Sequence, residues 1–351
     1  MFKKAIVIAL PGLGDALMST PMMRAIKEKL NCPFDLLVAQ SGTFGVMETN
    51  PLPEEIVYFN FAKEGYWKSL KFIKSLRGKY DLSFTVYPSF PRQYHWIALA
   101  IGARRKIGHR FESGYMSHFH FIYTDKVPAQ QNLHNVYNNM NLLKPLGIEA
   151  EPGSMEAYLT DEDLQTGRDF LRANGLSEGG YIFFHNGSSL IKANSEKKRL
   201  PSATVDTLMR QYLDARIKVV YNAGPDEWHI PKIQGIVLLQ NQKIRTVGAI
   251  IKLASVVVSN DSGPMHYAVA LGQKVVGIFG NTDIKKAYPF KVKNIVIVSD
   301  WKCAPCYVDY AQRFFPCTHP EFSEDGESFP CMEAFEAKDI FDATIKLLED
   351  K

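Results

Sequence analysis

The chain has 351 residues, of which 46% are hydrophobic, so it is long enough for two domains that each bury a core. Its formal net charge of +4 is near balance, and we expect no nucleic-acid partner, although residues 1–150 carry 18 Lys and Arg against 11 Asp and Glu. No run approaches the roughly 18 apolar residues that a membrane-spanning helix needs, so we expect a cytoplasmic protein, which could still contact a membrane surface from outside the bilayer.

Short apolar runs alternate with helical patterns along the first half of the chain. The run AIVIAL at residues 5–10 is shorter than the apolar segment of a signal peptide and precedes no small-residue cleavage site, so we predict a buried strand. Further strands are predicted at residues 34–40, 56–60 and 81–88, and helices are predicted to begin near Asp15, Glu64 and Arg92. Continuous apolar strands separated by helices indicate a parallel sheet covered on both faces.

A second series of apolar runs begins at residue 181. Its predicted strands lie at residues 181–187, 217–224, 236–240, 255–261, 274–280 and 294–300. We therefore predict an α/β protein with two doubly wound domains in tandem, residues 1–160 and 161–337. The boundary falls in a polar, turn-rich segment next to a helix predicted at residues 161–174, and residues 338–351 read as a final amphipathic helix.

Ligands of open α/β sheets bind beyond the carboxyl ends of the strands, and residues 256–283 contain the most informative strand end of the second half. Ser262 and Gly263 would present a hydroxyl and backbone N–H groups at a helix N-terminus, which suits a phosphate. Asp261 would bind a sugar hydroxyl or the helix amides, and a plain helix cap explains Asp261 and Ser262 equally well. His266 fits either a ligand contact or a buried core histidine.

A glycine turn follows the first predicted strand, with the sequence PGLGD at residues 11–15. Gly12 and Gly14 would let the backbone approach a ligand closely. Asp15 fits two roles, because an acid at this position can cap the helix or can take a proton from a bound substrate.

Together these motifs resemble glycosyltransferase family 9, the heptosyltransferases of lipopolysaccharide core assembly. Residues 260–283, NDSGPMHYAVALGQKVVGIFGNTD, are similar to the family pattern of an Asp-Thr-Gly turn, a nearby His, an Ala-rich helix and a strand ending in Phe-Gly-x-Thr. Residues 12–30 resemble the opening motif of the family, and KKRLP at residues 197–201 resembles its Lys-x-Trp-Pro. Ser262 replaces the usual Thr and keeps the hydroxyl, whereas Leu200 replaces the usual Trp and removes an aromatic wall of the donor pocket.

The resemblance implies a GT-B fold, in which two Rossmann-like domains face each other across a cleft and the last helix packs back toward the first domain. It implies that the C-terminal domain binds the nucleotide sugar, and that the N-terminal domain binds a phosphorylated, lipid-linked acceptor at the inner membrane surface. The predicted donor-binding residues are Ser188, Ser189, Lys198, Glu227, Asp261, Ser262, Gly263 and His266. The predicted acceptor-side residues are Gly12, Gly14, Thr20, Arg104 and Arg105, the two arginines being placed in a turn beside a strand.

Transfer from a nucleotide diphosphate sugar needs a base for the acceptor hydroxyl and stabilisation of the departing diphosphate. The family implies that Asp15 is the general base of an inverting transfer. Lys198 would supply positive charge to the diphosphate, and the serines and Gly263 would supply hydrogen-bond donors. No Asp-x-Asp motif occurs in a strand-end turn, so we expect that catalysis needs no cofactor.

Four of the five cysteines fall within residues 303–331, with the spacing C-x2-C-x10-C-x13-C. They are Cys303, Cys306, Cys317 and Cys331. This spacing fits a tetrahedral thiolate site for zinc or iron, and the related autotransporter heptosyltransferases carry a similar cluster that binds iron. A metal held by four thiolates would be structural, because no position remains open for a substrate. Four reduced thiols without a metal are the alternative.

Two classes of function therefore remain. The first is a heptosyltransferase that uses ADP-heptose or a related nucleotide sugar and acts on a lipopolysaccharide core acceptor or, as the autotransporter enzymes do, on a protein. The second is a non-catalytic nucleotide-sugar-binding protein with the same fold, which would need no base at Asp15. A dinucleotide-dependent dehydrogenase fits less well, because LPGLGDAL lacks the third glycine of G-x-G-x-x-G and places an acid where a pyrophosphate would bind.

Overall fold

The computed structural model describes residues 2–89, 91–111, 119, 121–187, 198–224, 229–306 and 329–350. The chain divides into two compact units, Met1–Tyr158 and Leu159–Lys351, and each contains one parallel sheet with helices. Among the described residues, none of the helices combines the length and the hydropathy needed to cross a bilayer.

The N-terminal unit is built on a six-stranded sheet. Its strands are β1 (Ala5–Ala9), β2 (Phe34–Val38), β3 (Ile56–Tyr58), β4 (Leu82–Thr85), β5 (Arg105–Arg110) and β6 (Asp125–Pro128). They pair in parallel in the order β3-β2-β1-β4-β5-β6. Strand β1 is buried along its whole length, as expected for a central strand that is covered on both faces and therefore reads as a continuous apolar run.

Helices connect these strands and cover the sheet. They are α1 (Leu13–Leu17), α2 (Thr20–Ala25), α3 (Ser41–Met47), α4 (Phe61–Glu64), α5 (Tyr66–Leu76), α6 (Arg92–Ile101) and α7 (Asn135–Asn141), with a π-helical turn at Ile26–Leu30 and a 3-10 turn at Lys144–Leu146. One apolar core lies between the sheet and the inner sides of α5 and α6, where Ile6 and Ile8 meet Leu76, Ile97 and Ile101. Helices α5 and α6 are thus fixed to the sheet by burial of these side chains.

The C-terminal unit repeats this architecture. Its strands are β7 (Ile182–His185), β8 (Val219–Ala223), β9 (Val237–Gln240), β10 (Val256–Asn260), β11 (Val275–Phe279) and β12 (Asn294–Val298). They form a parallel sheet in the order β12-β11-β10-β7-β8-β9, and all six strands were predicted from their apolar runs.

The helices of the C-terminal unit are α8 (Asp161–Ala173), α9 (Ser202–Asp214), α10 (Ile244–Lys252), α11 (Gly263–Ala270), α12 (Ile284–Ala287), α13 (Pro330–Glu333) and α14 (Ala337–Glu349). Helix α14 packs on α9 and on strands β10–β12, and the Tyr212 and Thr344 hydroxyls lie 2.7 Å apart in this contact. Ile340 and Leu347 belong to the core of the unit. These contacts lie within one unit, so the predicted return of the last helix toward the first domain stays a prediction.

Both sheets have the strand order of a doubly wound fold. Successive strands are added outward in one direction and then, from the centre, in the other direction, while all strands stay parallel. The reversal lies between β1 and β4 in the N-terminal unit and between β7 and β10 in the C-terminal unit. The loops that leave the carboxyl ends of these strands border the crevice in which such sheets bind ligands.

Candidate functional site

Three strand-end turns meet at the carboxyl edge of the C-terminal sheet. They follow β7 at residues 185–187, β10 at residues 260–263 and β11 at residues 281–283. Strand β10 lies between β7 and β11, and its Ser259 is paired to His185 of β7 and to Gly277 of β11. The three turns are therefore neighbours, although about 75 residues separate the turn after β7 from the turn after β10. The polar turns that the sequence indicated one by one therefore form one cluster.

Two asparagines hold this cluster together. The Nδ2 of Asn260 donates to the carbonyl oxygens of Asn186 at 3.1 Å and Lys198 at 2.7 Å. The side chain of Asn186 receives the N–H of Leu200 at 2.8 Å and donates to the carbonyl oxygen of Leu200 at 3.1 Å. Because both amides are buried, these bonds are made out of reach of competing water. They fix the backbone at Lys198 and at Leu200.

Asp261 is the centre of the charged groups in this cluster. Its side chain is 8% exposed; Oδ2 accepts from the Lys198 ammonium and, at 2.9 Å, from the Thr282 hydroxyl. Oδ1 lies 3.3 Å from Nε2 of His266. Burial alone would raise the pKa of Asp261, but the Lys198 charge and the His266 hydrogen bond outweigh it and hold that pKa well below its usual value. The carboxylate is therefore ionised at neutral pH.

The helix-cap explanation of Asp261 and Ser262 does not describe what these side chains do. Ser262 occupies the N-cap position of α11, yet its side chain makes no capping hydrogen bond, and its hydroxyl lies 3.0 Å from that of Ser259. Asp261 instead forms hydrogen bonds and ion pairs with Lys198, Thr282 and His266. The N-terminus of α11 is thus left without a side-chain cap from Ser262, as a site for an anion requires.

The structure brings together five of the predicted donor-binding residues. Lys198, Asp261, Ser262, Gly263 and His266 belong to this cluster, whereas Ser188, Ser189 and Glu227 lie outside the described residues. Leu200 is fully buried in the core of the unit, where it contributes apolar packing.

Sequence reasoning missed three residues of the cluster, Asn186, Asn260 and Thr282. All three are buried and all three bond across strand-end turns. Asn186 and Asn260 stand at or directly after the end of an apolar run, and Thr282 lies in the Gly-Asn-Thr-Asp turn. These positions in the sequence could have identified the three residues. An amide at the end of a buried strand must find partners inside the protein, which favours cross-links between neighbouring turns.

Asp15 lies in α1, directly after β1 at the central reversal of the N-terminal sheet. Its side chain is half-buried, and Oδ2 accepts the backbone N–H of Gly12 at 3.2 Å. This is the interaction of an acid in the first helical turn with the N-cap residue, so Asp15 does act as a cap. Catalysis by the same carboxylate stays a prediction. Helix α1 begins at Leu13, earlier than predicted, and ends at Leu17.

Thr20 is fully buried and its hydroxyl serves the backbone. It donates to the carbonyl oxygen of Leu17 at 2.7 Å and accepts the N–H of Glu156 at 2.9 Å. Thr20 thus joins the start of α2 to the end of the unit, and its predicted acceptor role would have to be indirect. Gly14 lies in α1 beside Asp15.

The two predicted acceptor arginines lie far from the Asp15 edge of the sheet. Arg105 is the first residue of β5 and pairs with Leu82 at the start of β4, so it stands at the amino edge, whereas Asp15 follows the carboxyl end of β1. Its guanidinium donates to both carboxylate oxygens of Asp125 at 2.9 and 2.8 Å. Arg104 precedes it in the chain. Arg104 thus lies in the predicted turn beside the strand and Arg105 begins the strand, and the structure does not bring these arginines to Asp15.

The four predicted metal ligands are only partly described. Cys303 is half-buried, Cys306 is exposed and Cys331 is buried, and none of the described cysteines forms a disulfide. Cys317 lies outside the described residues. Within the described ranges no three His, Cys, Asp or Glu side chains are grouped so as to hold a metal ion. These three thiols alone therefore do not make a metal site, and the four-cysteine site stays a prediction.

Comparison with known proteins agrees with the fold and with the motifs. The family model of glycosyltransferase family 9 (heptosyltransferase) matches residues 69–313. The lipooligosaccharide heptosyltransferase 2 of Campylobacter jejuni is 27% identical over 329 residues, which cover 89% of this chain and 92% of that protein.

Two solved structures have the same fold. The family 9 glycosyltransferase of Veillonella parvula superposes with a TM-score of 0.78 at 18% identity, covering 99% of this chain and 98% of its own. The Escherichia coli ADP-heptose heptosyltransferase II superposes with a TM-score of 0.73 at 17% identity, covering 99% of each chain. The two parallel six-stranded sheets are thus those of a GT-B fold. The chain belongs to glycosyltransferase family 9, the heptosyltransferase family, and is a glycosyltransferase.

Proposed function

We propose that this glycosyltransferase moves a heptose, or a closely related sugar, from ADP-heptose or a related nucleotide sugar to a lipopolysaccharide core acceptor, with inversion at the anomeric carbon. The family match and the relative from Campylobacter jejuni support the reaction class. The observation that carries the proposal is the cluster of Lys198, Asp261, His266 and Thr282 at the reversal of the C-terminal sheet. A half-buried cation beside a helix N-terminus that has no side-chain cap from Ser262 is a suitable site for a diphosphate.

In the proposed donor complex the diphosphate lies at the N-terminus of α11. The backbone N–H of Gly263 and the hydroxyl of Ser262 donate to phosphate oxygens. The diphosphate competes with Asp261 for the Lys198 ammonium, whose positive charge offsets the negative charge that develops as the bond from the anomeric carbon to the diphosphate breaks. Asp261 keeps Lys198 in place through the ion pair when no donor is bound.

In the proposed reaction Asp15 is the general base. As the acceptor oxygen forms its bond to the anomeric carbon, the carboxylate of Asp15 takes the hydroxyl proton, and the nucleotide diphosphate leaves from the opposite side of the sugar. The hydrogen bond from the Gly12 N–H occupies Oδ2 and orients the carboxyl group. The cap and the base are thus compatible functions of one side chain.

The experiment that tests the proposal measures sugar transfer from ADP-heptose to heptose-deficient lipopolysaccharide by the unaltered enzyme and by Asp15→Asn. We expect kcat to fall by about 10²- to 10⁴-fold in Asp15→Asn, which is the usual contribution of a general base. The affinity for ADP and the melting temperature should stay unchanged, because the amide oxygen of Asn can still accept the Gly12 N–H.

Asp339→Asn is the matched control. Asp339 is an exposed acid at the same helical position in α14 as Asp15 has in α1, three residues after the N-cap, so its substitution should leave kcat unchanged. Undiminished transfer by Asp15→Asn would show that Asp15 is a helix cap and not the general base. Binding of ADP-heptose without transfer to lipopolysaccharide or protein acceptors would identify a non-catalytic binding protein, and transfer to protein alone would identify the autotransporter type.

A further inference from the structure

Two large aromatic side chains are exposed at the beginning of α5. The side chain of Tyr66 is 70% exposed and that of Trp67 is 80% exposed, and Leu70, one turn later, is 42% exposed. On the neighbouring helix α6, Trp96 is 48% exposed. The core of the unit uses the opposite side of α5, where Phe72, Ile73 and Leu76 pack. The exposed aromatic residues are therefore not needed to hold the helix on the sheet.

Lysines flank these aromatic residues on the same side of the helix. With 100° of rotation per residue, Tyr66, Trp67, Leu70, Lys71 and Lys74 fall within about 140° of one another around α5. We call these five residues the α5 face. Lys71 and Lys74 are exposed, and neither forms an ion pair with a residue that the structure describes.

The charged residues of α5 are all positive. The helix contains Lys68, Lys71 and Lys74 and no acid. Lys68 pairs with Glu64, the last residue of α4, at 2.9 Å, so Lys71 and Lys74 carry the unbalanced charge of the α5 face. An exposed apolar group within such a positive field fits a partner that is both apolar and negatively charged.

The topology places the α5 face at the edge of the sheet where Asp15 lies. Helices that connect parallel strands run antiparallel to them, so α5 and α6 begin at the carboxyl edge of the sheet. Tyr66 and Trp67 are the first residues of α5, and Asp15 follows the carboxyl end of β1. A hydrogen bond from the Tyr94 hydroxyl to the Leu10 carbonyl oxygen, at 3.2 Å, joins α6 to the turn before Asp15.

We propose that the α5 face binds the surface of an anionic lipid bilayer. Trp and Tyr rings prefer the boundary between lipid headgroups and acyl chains, and lysine stems lie along apolar surface while their ammonium groups reach anionic headgroups. A stable protein partner would cover roughly 800 Å² of each surface. Two aromatic side chains supply at most roughly 500 Å² of contact, which suits a membrane surface better. Bound in this way, the enzyme presents the Asp15 edge to substrates that are embedded in the membrane.

The first experiment is co-sedimentation of the full chain with vesicles. The unaltered protein should bind vesicles that contain 30% phosphatidylglycerol, should not bind pure phosphatidylcholine vesicles, and should be released by salt. Lys71→Glu/Lys74→Glu should weaken binding at least tenfold. The control Lys232→Glu/Lys243→Glu makes the same charge change at exposed lysines of the C-terminal unit and should stay within twofold of the unaltered protein.

The second experiment uses the fluorescence of Trp67. On binding anionic vesicles, the emission of the Trp96→Phe protein should shift to shorter wavelength and be quenched by brominated lipid, and adding Trp67→Phe to that protein should remove both changes. Transfer to a soluble, delipidated acceptor should be unaffected in Lys71→Glu/Lys74→Glu, so failure of membrane binding is separable from failure of the proposed transfer. Vesicle binding that is absent in the unaltered protein, equal on neutral lipid, or unchanged in the charge variant would overturn the proposal. A dimer that dissociates in Trp67→Ser would assign the α5 face to a second copy instead.

Discussion

Asp261 shows how a carboxylate can lie next to an expected phosphate site without repelling the ligand. Its charge is already balanced by Lys198 and is stabilised by hydrogen bonds from Thr282 and His266. The pair therefore adds little net charge to the site, and Asp261 acts by holding the cation in place. A Lys with no such partner would lose rotational freedom each time the donor binds.

The ion pair should make stability depend on pH. Since the pKa of Asp261 is lowered in the folded state, its contribution is complete above the unfolded value near 3.9 and is lost as pH falls toward the folded value. At pH 7 we expect Asp261→Asn to lower the free energy of unfolding by up to about 3 kcal/mol, less than for a fully buried pair because Lys198 is 22% exposed. Urea unfolding should show this difference shrinking below about pH 5.

Asp350→Asn is the control for this measurement. Asp350 pairs with Lys293 at the surface, where both side chains are about half exposed, so the substitution should change the free energy of unfolding by less than about 0.5 kcal/mol at every pH. A difference between the unaltered protein and Asp261→Asn that stays constant from pH 7 to pH 3 would contradict the assignment of the effect to the ionised carboxylate.

Strand β5 depends on a glycine at its centre. The ring of Tyr123 lies against Gly108, and a Cβ built at that position would come within 2.3 Å of two ring atoms. The Tyr123 hydroxyl lies 2.8 Å from Nδ1 of the buried His95 on α6, so movement of the ring would also disturb the contact between that helix and the sheet. Gly108 therefore allows strand, ring and helix to pack together.

Gly108→Ala should lower the free energy of unfolding by about 1–3 kcal/mol, the usual cost of overpacking a core. The control Gly42→Ala lies in helix α3 with no atom within 4 Å of the new methyl group, and it should raise stability by about 0.5–1 kcal/mol because Ala favours helix over Gly. Thermal unfolding of the two variants gives opposite shifts in melting temperature. Equal shifts would show that the Tyr123 contact does not determine the effect.

The sequence predicted the strands whose signal is local. Buried runs such as β1 and β10 are apolar throughout, whereas β5 begins with Arg105 and Lys106 and reads as a charged turn. Those charges are tolerated because they stand at the amino edge of the sheet, where Arg105 reaches Asp125. The pairing of Arg105 with Asp125 depends on β6 lying beside β5, and no local pattern contains that strand order.

The same limit applies to the candidate site. The glycine turns and Asp261 were predictable, since a polar turn after a buried strand is visible in the sequence. The bonds from Asn260 to Asn186 and Lys198 were not, because they depend on β10 lying beside β7, 74 residues away. A contact between turns becomes predictable only after the strand order is known.

At the scale of the whole molecule, two sheets with one strand order offer two equivalent crevices with different chemistry. The C-terminal reversal carries Lys198 with Asp261 and a helix N-terminus without a side-chain cap from Ser262, whereas the N-terminal reversal carries the carboxylate of Asp15. A cation suits a diphosphate and a carboxylate suits a hydroxyl. This difference is the physical reason for the proposed division of donor and acceptor between the units.

Hydrogen exchange with bound ADP tests this division. At 100 times its Kd, ADP stabilises the state that binds it by about 2.7 kcal/mol, so amides that exchange only when that state opens should slow by up to about 100-fold. We expect protection in peptides covering residues 182–187, 256–267 and 275–283, and no change in residues 5–17. Lys198→Met should lose most of the protection, and in this variant Asp261 keeps Thr282 and His266 as partners. The control Lys232→Met replaces an exposed lysine and should keep all of the protection. Protection confined to residues 5–17 would place the nucleotide in the N-terminal unit and reverse the proposed assignment.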